Sequence, residues 1–150
     1  MAFDLKKLTS MVAKATSTKG GNYVQPGKGV LVLKKVVHTD GHKGPHFIIE
    51  ATVESSIKTD PNFEPNPPGA DVSLVYPLTG DKAAISANSI RNYCEALEGK
   101  EGLSNDEIAT LIDPENNETL KGVKFGYSAV QKIGQKTGKP YTQVTFSHIG

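Results

Sequence analysis

With 150 residues, 37 % of them hydrophobic, and with 15 glycines and nine prolines, the chain is sized for one β-rich domain with its own core rather than for a helical bundle. Its single cysteine, Cys94, excludes an internal disulfide and fits a reducing setting, and no apolar run approaches the roughly 20 residues a membrane helix requires. The formal charge of +1 conceals a segregation: residues 1–47 hold eight lysines against Asp4 and Asp40 (+6), residues 48–120 hold four basic groups against 14 acids (−10), and residues 121–150 hold five lysines and no acid (+5).

Phe3, Leu5, Leu8, Val12 and Ala15 recur at helical spacing and predict a short amphipathic helix, followed by the polar joint Thr16-Ser17-Thr18-Lys19-Gly20-Gly21. Residues 1–20 are therefore expected to form an N-terminal helix with a flexible joint, and 21–150 the domain proper. The first residues lack the apolar core of a secretory signal, so the expected location is the cytoplasm. Val30 to Val37 is a β-branched run, and Phe47, Ile49, Ala51 and Val53 alternate with polar neighbours, so a hairpin is predicted with its turn over 38–45 around Asp40-Gly41. Residues 56–69, with four prolines at 61, 65, 67 and 68, read as a long extended loop, a functional flap or a partly mobile one. A third strand is predicted at about 71–78, with Val72, Leu74 and Tyr76 on one face.

Two helices follow. One is expected to start at a cap on Asn88 or Ser89, bury Ile90, Tyr93, Cys94 and Leu97, and stop at Gly99. The other opens with the capping-box pattern Ser104-Asn105-Asp106-Glu107 and ends at Asp113-Pro114. Residues 122–148 then predict a second hairpin, in which Val123, Phe125, Tyr127 and Ala129 share one face and a glycine-rich turn spans 134–140.

Five strands with a helical element between the third and fourth is the order of the OB-fold, a small barrel that binds oligonucleotides beside its first and last inter-strand turns. Mainly β architecture of that type is expected: a five-stranded OB-fold-like barrel with helices between strands three and four and a short N-terminal helix. The two turns, 38–46 and 134–140, are also the turns of the two lysine-rich segments. They are expected to meet beside a shared strand surface that follows a phosphate backbone.

Such a surface needs cations for phosphates and flat side chains for bases. The candidates for phosphate contact are Lys34, Lys35, Lys43, Lys132, Lys136 and Lys139. For stacking they are His46, Tyr127 and Tyr141, ahead of Tyr23 and Tyr76, and for each tyrosine the competing role is core or rim packing. His38, His42 and His46 recur every four residues, but Gly41, Gly44 and Pro45 make the stretch a turn rather than a metal-binding helix. Gly134-Gln135-Lys136-Thr137-Gly138-Lys139-Pro140 has the wrong spacing for a nucleotide phosphate loop, and a strand follows it. Cys94 sits on an apolar helix face and reads as core. No catalytic residue, metal site or cofactor is expected.

The chain resembles the bacteriophage single-stranded DNA-binding proteins of OB-fold type. The resemblance rests on Tyr23-Val24-Gln25-Pro26-Gly27, Phe47 to Ser55, Gly69-Ala70-Asp71-Val72-Ser73, Ile90 to Leu97 and Gly138-Lys139-Pro140-Tyr141, over residues 21–149. It implies sequence-tolerant coating of single-stranded DNA in phage replication or recombination, within the bacterial host cell, with replication or recombination proteins as partners. Self-association through the N-terminal helix would be the remaining partnership. The chain departs from the family in two ways: it ends Ser147-His148-Ile149-Gly150 without an acidic tail, and it has no tryptophan for stacking. The alternatives are a virion structural or assembly protein built on the same β-barrel and, from the scattered Asp and Glu residues, a metal-dependent nuclease.

Overall fold

The computed structural model describes residues 23–41, 44–135 and 138–149. The expected helix over 3–15, with its joint, lies outside the described residues, as do Lys43 and Lys136. Five antiparallel strands form one sheet: β1 (Gly27–Gly41), β2 (Gly44–Ile57), β3 (Asp71–Pro77), β4 (Lys124–Ile133) and β5 (Pro140–His148), in the spatial order β3-β2-β1-β4-β5. Between β3 and β4 lie α1 (Ala83–Glu98), α2 (Asn105–Ile112) and the single-turn α3 (Asn117–Leu120).

β1 has neighbours on both sides and bends to serve them. It pairs with β2 along its whole length but with β4 only over Gly27 to Val32. Register shifts between Val30 and Leu31 and between Leu33 and Lys35 mark two irregularities, and Lys34 is the unpaired extra residue at the second. That bulge moves the inward phase of the strand from Leu31 and Leu33 to Val36, all three buried. Close approach is met by Gly29, where an added Cβ would lie 2.0 Å from the Ser55 carbonyl oxygen.

α1 begins at Ala83, five residues before the expected cap. A 3₁₀ turn over Gly80–Lys82 leads into Ala83-Ala84, good helix formers that need no side-chain cap at Lys82. Gly99 ends it in the left-handed region (φ 72°), its N–H donating to the Glu95 carbonyl at 2.8 Å. Its inward face buries Ile90, Tyr93, Cys94 and Ala96, and burial pushes the Cys94 thiol up to about 11. α2 carries the expected capping box, with Ser104 and Glu107 each bonding the other's backbone N–H.

The core is aromatic where helix meets sheet. The Tyr93 ring lies 5.6 Å from Phe125, 5.9 Å from Phe146 and 6.3 Å from Phe47 between centroids, inclined or edge-on to each. The sheet is not closed into a barrel: β3 and β5 stand at its two edges without pairing, and α1 packs against both. On β5 the helix substitutes for a strand. Asn92 accepts from the Phe146 N–H at 2.7 Å and donates to the Phe146 carbonyl at 3.1 Å, and a His148 ring nitrogen lies 2.9 Å from the Ala96 carbonyl.

Two loops differ from expectation. The turn expected over 38–45 is shorter, because β1 runs on to Gly41 and β2 starts at Gly44, leaving His38 paired with Phe47 inside the ladder. The proline-rich loop is tied down. Asn66 accepts from Gln25 N–H at 2.7 Å and donates to the Tyr23 carbonyl at 3.1 Å, the Ser56 hydroxyl donates to the Asn66 carbonyl, and Lys58 meets Glu64 at 2.6 Å.

Candidate nucleic-acid interface

Strand alternation gives the sheet an inner face, packed on the helices, and an outer face open to solvent. On the β1-β2-β3 half, register aligns three outer rows: Lys35, Glu50 and Ser73; Val37, Ile48 and Val75; Thr39, His46 and Pro77. The lysines here have local partners. Lys35 lies 3.7 Å from Glu50 and Lys34 lies 3.4 Å from Asp71. His46 holds the middle of the last row, and its Nδ1, 2.9 Å from the Gly44 carbonyl, must carry the proton to bond there.

The β4-β5 half has a different character. Its outer cross-strand pairs are Lys132 with Tyr141, Val130 with Gln143, Ser128 with Thr145 and Gly126 with Ser147, and Lys28 of β1 stands opposite Ser128. No acid occurs among them. Lys28 and Lys132 are exposed and form no ion pair with a described residue, and Tyr141 is 50 % exposed. Lys139 is exposed on the approach to β5. Where β4 begins, Lys124 is paired with Glu54 of β2.

The sequence candidates thus divide. Lys132 and Tyr141 come together on one face, with Lys139 at the neighbouring turn. Lys34, Lys35 and His46 lie on the other half of the sheet, the two lysines neutralised. Tyr127 does not belong to the surface: it points inward opposite Gly29 and Phe146, is 3 % exposed, and burial raises its pKa. Its ring cannot stack on a base at the outer face.

The two basic turns do not meet. The β1-β2 turn follows the pair Gly41 and Gly44, whereas the β4-β5 turn lies beyond Gly27 and Ala129, at the other end of β1. β1 has 15 residues, about 50 Å of extended strand at about 3.3 Å per residue, less its bends. One ligand reaches both turns only by running along the outer face.

One neighbouring feature has no counterpart in the sequence reading. The tied-down loop, at Thr59 to Asn62, stands off from Ala129, Val130 and Gln131 of β4 and leaves an open pocket of about 460 Å³ floored by Pro26. Nothing in the spacing of residues 59–62 announces it, because it depends on the anchoring of the loop by Asn66. Among the described residues, no helix is long and apolar enough to cross a membrane, and no three His, Cys, Asp or Glu side chains are grouped to hold a metal ion. No protein-family model and no curated protein matches the chain.

Proposed function

We propose that the chain binds and coats single-stranded DNA with little sequence preference, as a non-enzymatic protein of phage replication or recombination acting in the host cytoplasm. The observation that carries this reading is the outer face of β4 and β5, where Lys28, Lys132 and Tyr141 stand together without an acidic residue although the chain as a whole is nearly neutral. Cations set beside an exposed ring among small polar side chains suit a phosphate backbone with bases laid flat, and neither element selects a sequence. The strand order supports an OB-type arrangement in which α1, rather than a β3-β5 ladder, spans the opening. Fluorescence anisotropy with a labelled oligo-dT at low and high salt tests the proposal. Salt-sensitive binding weakened by Lys132→Glu supports it; binding indifferent to both salt and that substitution overturns it.

A virion structural or assembly protein is the second reading, favoured by the aliphatic row of Val37, Ile48 and Val75, the last 42 % exposed, with the Lys35–Glu50 pair along one side of it. In that case Val75→Lys would shift the oligomeric state in light scattering and leave any DNA affinity unchanged.

A further inference from the structure

We propose that the pocket between residues 59–62 and β4 receives one unstacked nucleobase of the bound strand, an inference that rests on the single-strand-binding reading above. The pocket, about 460 Å³, lies in the lower part of the range usual for small-molecule sites. The exposed Pro61 ring and Val130, 49 % exposed, supply apolar walls that suit the faces of a base, with the buried Pro26 beneath them. Thr59, Asn62 and Gln131 supply a hydroxyl and two amides, groups that both donate and accept and so match the edge of any base.

Charge decides between base and phosphate. The one ionisable side chain in the lining is Asp60, whose carboxylate accepts the Asn62 N–H at 2.9 Å. An anion is repelled there, whereas a base amino group is not. The phosphates belong outside, and Val130 shares the outer face of β4 with Lys132, next to Lys28 across the β1-β4 ladder. The wall is also preformed: Asn66 pins one end of the loop and the Lys58–Glu64 pair closes it on itself, so little ordering is left to offset on binding.

The test compares labelled dT12 with the same oligomer made abasic throughout, on the full chain at one low salt concentration. The intact oligomer is expected to bind at least about five- to 150-fold more tightly, the range for a single held base. The double variant Asn62→Ala, Gln131→Ala should lose the pocket's share of that advantage, keep the share that Tyr141 supplies, and bind the abasic oligomer as the native chain does. Amide NMR on the native chain gives a readout independent of any variant: resonances of residues 59–62 and 130–131 should shift with dT12 and stay fixed with the abasic strand. If both oligomers bind with salt sensitivity while those resonances stay fixed, the pocket proposal is overturned and the single-strand reading stands. Absence of binding to either oligomer overturns both.

Discussion

The hydroxyls of Tyr93 and Tyr127 are buried and have no hydrogen-bond partner among the described residues. A buried polar group left unpaired has given up its water without return, a cost of about 1 to 3 kcal/mol. Replacing Tyr93 or Tyr127 by Phe is therefore expected to leave stability unchanged or raise it by up to about 1 kcal/mol, measured by urea unfolding; a loss of more than that would reveal a partner for the hydroxyl. Tyr141 should behave in the opposite way, with Tyr141→Ala neutral for folding but weakening oligo-dT binding by about 1 to 3 kcal/mol if the exposed ring stacks. The contrast between these tyrosines was half legible in the sequence. Alternation already set Tyr127 with Phe125 and Ala129 on the face that enters the core, and choosing it as a stacking residue gave weight to its type over its phase. Tyr141 belongs to the stretch 138–141, where glycine and proline break the pattern, and its pairing with Lys132 followed only once the turn length fixed the register.

At the level of elements, two asparagines complete the sheet and a third ties the proline-rich loop to the chain ahead of β1. Asn92 of α1 pairs both backbone groups of Phe146, Asn117 of α3 pairs both of Val36 at 2.9 Å each, and Asn66 bridges Gln25 and Tyr23. A carboxamide can present a donor and an acceptor as a peptide does, so Asn92 and Asn117 serve where a strand edge has no neighbour. Asn117 acts where β1 has run past β4, just beyond the bonds of Leu33 with Gly122 and Val123. Asn92→Ala should cost about 1 to 3 kcal/mol in thermal or urea unfolding, since it orphans a donor and an acceptor at once. Asn92→Asp keeps the acceptor but sets a carboxylate against the Phe146 carbonyl, and it should be no better than the alanine. Most of the elements themselves were legible, because Phe47 to Val53 and Val72 to Tyr76 alternate and Ser104 with Glu107 mark a helix start. The asparagine bridges were not, since their partners lie 41 to 81 residues away and no local pattern encodes them. The early start of α1 was missed for a related reason: Ala83 and Ala84 carry propensity without a capping side chain to signal it.

For the whole molecule, the order of elements pointed to the strand arrangement, and charge segregation pointed to the ends of the chain. What neither contained was where the ends fall once paired. The register of β1 with β2 and β4 sets the lysine-rich turns at opposite ends of one long bent strand, and the acids of the −10 middle segment, Glu50, Glu54 and Asp71, come to lie beside Lys35, Lys124 and Lys34. Net charge by segment could not foresee this, because β2, most of which belongs to the acidic segment, lies against β1 and carries β3 on its other side. Exposed pairs of this kind contribute about 0 to 1 kcal/mol each, so a phosphate can displace a carboxylate, but the exchange releases fewer counterions than binding at an unpaired lysine. The salt dependence therefore reports which lysines act. Six phosphates neutralised by Lys34, Lys35, Lys43, Lys132, Lys136 and Lys139 would give a slope of log K against log salt of about −4 for a single strand, whereas three or four on the acid-free face would give about −2 to −3. The lower value is expected, with Lys132→Ala reducing it by a further unit or slightly less and Lys35→Ala leaving it nearly unchanged. A slope near −4 that falls equally with either substitution would mean that the strand crosses the whole outer face and breaks the Lys35–Glu50 pair on its way.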